Sequence, residues 1–231
     1  MDFINQDNYR QFPAVANSDL SWLQKYWEPE EVRFDKEKAF KFGNLLDAMI
    51  TERHRLNFFN LTVDKVQYTK EDWERSTLMK QSYDKDPLCN QMRMNCNFQH
   101  ITYVPKFKIE FDGFQFTLPA KCKWDLFCPN MDLGGDIKST AATTQKQFEE
   151  ACHYFDYFRS RAWYMDLAGR SNDILIGISK KNFQVFKIPI RRGDKYYNDG
   201  KAAYQELAFQ YWSLFSGIIG NNTKQLVSDA A

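Results

Sequence analysis

Residues 120–140 read AKCKWDLFCPNMDLGGDIKST. The stretch predicts two strands joined by a tight loop. The first strand, over residues 121–127, ends near Asp125. The loop carries Pro129, Asn130 and Gly134-Gly135, and the second strand, over residues 135–139, carries Asp136-Ile137-Lys138. Strand residues two apart share a face, so Asp136 and Lys138 point one way and Ile137 the other. In a hairpin Asp125 can meet them. Two carboxylates offer the oxygen ligands that Mg²⁺ takes from a protein while keeping several waters. A lysine beside such an ion can hold the attacking water or help deprotonate it. A solvated hairpin would display the same residues, so the flanking chain has to decide.

The 231 residues suit one domain, and 43% hydrophobic with 16% aromatic content can fill a sizeable core. A net charge of +1 gives no global pull toward nucleic acid, so any basic surface must be local. The five cysteines are odd in number and contain no C-x-x-C, so neither a disulfide framework nor a zinc knuckle is expected. No apolar run reaches membrane length and no signal peptide is recognisable, which makes the cytoplasm the expected location with no membrane partner. His54, His100 and His153 are scattered. There is no H-E-x-x-H, G-x-S-x-G, Walker loop or G-x-G-x-x-G, which argues against acyl transfer, NTPase and dinucleotide chemistry.

Ahead of the hairpin the pattern is helical. Asn17-Ser18-Asp19 offers a cap for a helix with Leu20, Leu23 and Trp27 on its buried stripe, ended by Pro29. Residues 35–55 predict a helix with Phe40, Leu45, Leu46, Ala48 and Met49 on its apolar face. Thr69 caps another helix that ends at Asp86-Pro87, and residues 88–96 form a short helix or loop. Alternation then sets in over residues 101–111. Asp112-Gly113 marks a hairpin turn, and Phe114, Phe116 and Leu118 lie on the return strand before Pro119 interrupts it. After the hairpin, one long helix is expected over residues 143–167, closed by Gly169. Strands over 174–179 and 183–190 follow, then a helix over 199–219 and a fraying polar tail.

Lys121-Cys122-Lys123-Trp124-Asp125 followed by Asp136-Ile137-Lys138-Ser139-Thr140 resembles the K-x-[KR]-x-D and D-[LIV]-K-[TS]-T core of the PD-(D/E)XK nuclease superfamily, in its RecE-type and lambda-exonuclease-type branch. The resemblance runs in order from Ser18 to about Trp212. Phe42-Gly43 is similar to the F-G-x-x-x-H segment of that branch, with Asp47 at the histidine position. Ser160-Arg161-Ala162-Trp163-Tyr164 is similar to Q-x-x-x-Y, with Ser160 at the glutamine position and Tyr164 retained. The branch also places a Glu or Gln on the way into the sheet, and Gln99 and Glu110 both qualify.

The resemblance implies an α+β fold, an α/β sandwich around a mixed central sheet. It implies a single nuclease-like domain over 1–231: a helical lead-in over 1–97, a sheet core with flanking helices over 98–216, and a tail over 217–231. The implied function is a Mg²⁺-dependent deoxyribonuclease (Mn²⁺ substituting), an exonuclease on duplex DNA in phage or prophage recombination. Asp125, Asp136 and the carbonyl of Ile137 would hold the metal, Asp47 would complete the shell, and Lys138 would position the water. Lys121, Lys123, Arg159 and Arg161 are candidate contacts to the DNA backbone. Trimeric or tetrameric assembly and a single-strand annealing protein are the implied partners. No iron–sulfur cluster is expected, because the last cysteine is Cys152. The alternatives are a restriction-type endonuclease and a catalytically inactive nuclease-fold module that binds DNA or protein.

Overall fold

Caps set the helices of the first half. The computed structural model describes residues 3–27 and 35–228, which leaves the expected stop at Pro29 outside the described residues. Helix α1 (Asn17–Trp27) buries Leu20 and Leu23, but Trp27 is 57% exposed and leaves the expected stripe. Helix α2 (Lys36–Thr51) starts where the Asp35 carboxylate accepts from the Lys38 N–H. It buries Leu45, Leu46, Ala48 and Met49, while Phe40 is 62% exposed. A short meander follows that the sequence did not announce: β1 (Leu56–Asn57), β2 (Thr62–Val63) and β3 (Val66–Gln67). Strands of two residues are too short to alternate visibly. Helix α3 (Lys70–Lys85) is capped by Thr69 as expected. Asp86 ends α3 and caps α4 (Pro87–Asn95), whose first residue is a proline with no N–H to waste.

Strand β4 (Asn97–Phe111) turns through Asp112-Gly113, both at positive φ, into β5 (Phe114–Cys128). Two successive positive φ values match the right-handed twist of a hairpin, which is why Asp-Gly reads so clearly here. Pro119 does not break β5. Val104 pairs with Ala120 and Phe107 with Leu118, so Pro105 and Lys106 together oppose Pro119 in a bulge. The Pro119 carbonyl accepts from the Val15 N–H at 2.8 Å, and the Lys121 N–H donates to the Val15 carbonyl at 2.8 Å.

Strand β6 (Leu133–Thr140) absorbs both glycines assigned to the loop. The reason is local packing: a Cβ on Gly134 would sit 2.0 Å from the Trp124 ring. The expected long helix is two, α5 (Gln145–Tyr154) and α6 (Tyr157–Ala168), broken where Asp156 takes a left-handed φ of 53°. Strands β7 (Asn172–Ser179) and β8 (Val185–Arg191) follow, and α7 (Lys195–Ser228) extends well into the stretch expected to fray.

The five-stranded sheet has the order β4-β5-β6-β7-β8. Only β6 and β7 are parallel, with α5 and α6 forming the crossover that such a pair requires. Trp124, Phe148, Trp163 and Leu175 share one core with α6 and α7, while Leu46, Met79, Met92, Ile137 and Ile176 share another with α2, α3 and α4. This is the expected mixed α+β sandwich. Cys96 and Cys128 are joined as a disulfide, contrary to the expectation from cysteine spacing. The register pairing Asn97 with Phe127 brings these two cysteines together, and register is not visible in spacing. No helix among the described residues is long and apolar enough to cross a membrane.

Candidate active site

The β5–β6 ladder ends at Leu126 paired with Gly135. Beyond it β6 passes to its parallel partner β7, and the Ile137 N–H is left for the Asp125 carboxylate, which accepts it at 2.8 Å. Strand divergence therefore opens the place where Asp125, Asp136 and Lys138 meet. Lys138 Nζ lies 2.5 Å from Asp136 Oδ2 and over the Tyr157 ring, 5.2 Å from its centre. The other oxygen, Asp136 Oδ1, accepts from Arg161 Nη1 at 3.0 Å, and Arg161 Nε donates to Asp173 Oδ2 at 2.9 Å. The guanidinium lies against Trp124 and Tyr164, 4.9 and 4.3 Å from their ring centres.

Asp47 comes from α2 on the other side. Thr51, one helical turn on, donates to Asp47 Oδ1 at 2.8 Å. Gln99 Nε2 donates to the same oxygen at 3.1 Å and to Thr51 Oγ1 at 2.9 Å. Gln99 is buried with a left-handed φ of 53°, within the stretch of β4 that faces Asp125 across the ladder. Non-glycine residues rarely take that conformation, and here it accompanies a side chain aimed at Asp47.

The cluster is rich in buried negative charge. Burial, then the neighbouring Asp136 and Asp47, push the Asp125 carboxyl up to about 8, against the pull of Lys138 and the Ile137 N–H. Burial also raises Asp47 above the usual carboxylate range, with Glu52 adding and Thr51, Lys123 and Lys138 opposing. Burial would lower Lys138, but Asp136 and Asp125 outweigh it and hold the ammonium charged. A groove of about 750 Å³ opens onto Asp47, Asp125, Ile137 and Lys138, lined also by Phe40, Arg75, Phe155 and Lys180.

The sequence profile of one family, described as a PDDEXK-like domain of unknown function (DUF3799), matches residues 7–217. The chain belongs to this family. No curated protein matches it. Among solved structures it is similar to a "Putative exonuclease" from Eubacterium rectale, at 15% identity over 87% of this chain and 81% of that one, with a TM-score of 0.55. At that identity the likeness speaks for the fold alone. A phage-related exonuclease from Haemophilus somnus 129PT (11% identity, 100% and 92% coverage, TM-score 0.42) and an alkaline exonuclease from Laribacter hongkongensis (12%, 96% and 97%, 0.39) are weaker likenesses that carry no argument.

In this PDDEXK-like domain the structure brings together Asp47, Gln99, Asp125, Asp136, Ile137 and Lys138, with Tyr164 one contact away through Arg161. Glu110 is not among them: it is exposed near the hairpin end, where Gln115 donates to it. Ser160 turns back on its own helix and donates to the Tyr157 carbonyl. Three of the four backbone candidates are internal. Lys121 Nζ donates to the carbonyls of Tyr9 and Phe12 at 2.6 and 2.7 Å. Arg159 is buried against Asn17, Ser21, Gln24 and Asp156, and Arg161 is wholly enclosed. Lys123 alone of the four lies half-exposed and near enough to draw on Asp47. The sequence reading missed Thr51, Tyr157 and Asp173. The i,i+4 spacing from Asp47 marks Thr51 in retrospect, whereas nothing local marks Asp173.

Among the described residues no group of three or more His, Cys, Asp or Glu side chains is placed to hold a metal ion. The donors nevertheless suit a hard divalent cation. Asp125 is buried beside two further carboxylates, Asp136 and Asp47, which raise its affinity for a proton and would do the same for a cation. Mg²⁺ needs only one or two carboxylates and completes its shell with water.

Proposed function

We propose that this PDDEXK-like domain is a metal-dependent deoxyribonuclease, an exonuclease on duplex DNA serving phage or prophage recombination. The observation that carries the reading is the convergence of Asp125, Asp136 and Lys138, with Asp125 and Lys138 lining a groove and Asp125 buried beside two further carboxylates. Asp125, Asp136 and the Ile137 carbonyl would hold the cation, with Asp47 completing the shell. Mg²⁺, or Mn²⁺ in its place, supplies charge stabilisation at the phosphate and an acidified water. Lys138, steered by Asp136 and Tyr157, orients that water and the scissile phosphate. Gln99 and Thr51 hold Asp47 in position. Arg75 and Lys180 in the groove, with Lys123, replace the buried arginines as contacts for the DNA backbone.

Action at DNA ends follows from the sequence resemblance of the Asp125 and Asp136-Ile137-Lys138 segments to the RecE-type and lambda-exonuclease-type branch. Assembly as a trimer or tetramer, a single-strand annealing partner and a cytoplasmic site of action belong to the same proposal. A second reading, a non-cutting DNA- or protein-binding module, is favoured by one observation: both oxygens of Asp136 already face a cation, Arg161 and Lys138.

The test is degradation of linear and closed circular duplex DNA with Mg²⁺ and with Mn²⁺, beside Asp136→Ala and Lys138→Ala. The expected result is loss of linear DNA only, lowered at least about a hundredfold in both variants. Cutting of the circle would identify an endonuclease. Folded protein inert with both metals would leave the non-cutting module.

A further inference from the structure

A wholly enclosed arginine is costly unless its charge is met, and its planar fork can serve two carboxylates at once. Arg161 does this with one on each side, Asp173 at Nε and Asp136 at Nη1. Trp124 and Tyr164 pack against the guanidinium, so it cannot swing toward solvent or DNA. Asp173 is itself buried and also accepts from the Ile174 N–H at 2.6 Å, which fixes it on β7. The charges along this line then pair off. Asp173 matches Arg161, so the hydrogen bond to Asp136 Oδ1 orients that carboxylate without cancelling its charge. Asp136 Oδ2 is buried and left to Lys138 alone, whose Nζ lies 2.5 Å away.

We propose that Arg161 and Asp173 are positioning residues: Asp173 neutralises Arg161, and Arg161 locks Asp136 by Oδ1 so that Oδ2 is held beside Lys138 for the cation. The proposal rests on the metal-dependent reading above and deepens it. It also assigns Arg161 a place in metal binding in exchange for the phosphate contact expected from sequence. Exposing the charge of Arg161 to Asp136 would set a fixed cation against the incoming one. Shortening the fork would let the carboxylate turn.

The test is calorimetric titration of Mn²⁺ into wild type, Asp173→Asn and Arg161→Lys, with thermal melting of each in chelator. Asp173→Asn keeps shape but only one of the two accepted hydrogen bonds and removes the neutralising charge, and Arg161→Lys keeps charge while removing the fork. Both are expected to bind Mn²⁺ about ten- to a hundredfold more weakly, the effect of disturbing groups that orient a metal ligand. Arg159→Lys, altered at a buried arginine away from the cluster, should bind as wild type does. Variants that melt lower yet bind Mn²⁺ with wild-type affinity would overturn the proposal and leave the pair a structural brace. Wild type that binds no Mn²⁺ would overturn the metal-dependent reading itself. The two failures are therefore distinguishable.

Discussion

Asp125 holds the strongest single lever on acidity in the site. Its folded-state value is raised to about 8, whereas an unfolded carboxyl titrates near 4. The folded chain therefore keeps a proton that the unfolded chain releases across that interval. Stability from this group is full below about 4 and is lost as pH rises through about 8. Metal-free protein is expected to melt lower at pH 8 than at pH 5, and Asp125→Asn should flatten that slope. A slope unchanged in the variant would show that another group carries it. Asp125, Asp136 and Lys138 were legible in the sequence because strand period and the D-x-K spacing constrain where side chains go. Arg161 and Arg159 were misread for the opposite reason. A charge on a helix reads as solvent-facing until the element that covers it is known, and their covers come from other elements, β7, 12 residues on, for Arg161 and α1, 142 residues back, for Arg159.

Helix α6 shows what such a cover does. Arg159 joins it to α1 through Asn17, Ser21 and Gln24. Arg159→Met should lower unfolding stability by about 2 kcal/mol or more in urea denaturation, since buried partners lose their donors. DNA affinity per folded molecule should stay unchanged. Strand β6 makes a tighter demand. Gly134→Ala drives a methyl into Trp124 and should cost about 1–3 kcal/mol in the same measurement. The glycine pair looked like loop because glycine is permissive in turns, and here its use is the space beside a large ring. The hairpin of β4 and β5 was readable from Asp-Gly and alternation. The break between α5 and α6 was not, because one left-handed aspartate leaves helical periodicity almost intact.

The whole chain carries a net charge of +1, so under the proposed function a hold on DNA has to come from the groove rather than from a long-range field. Replacing Arg75 and Lys180 together by alanine should weaken duplex binding at every sequence. It should also reduce the salt dependence of log K by about 0.9 for each phosphate no longer neutralised. An unchanged slope, read from binding isotherms across a salt series, would place the DNA elsewhere. The segment before α1 has a further implication. Val15 is hydrogen-bonded on both sides to Pro119 and Lys121, Lys121 also reaches back to Tyr9 and Phe12, and Gln6 donates to the Gln99 carbonyl. During synthesis this stretch has no partner until roughly a hundred later residues have emerged, and closing so long a loop brings an entropic cost before any contact rewards it. Residues 6–15 are thus among the last to lock, and because what docks last is released first, amide exchange at Val15 should outpace that at the centre of the sheet.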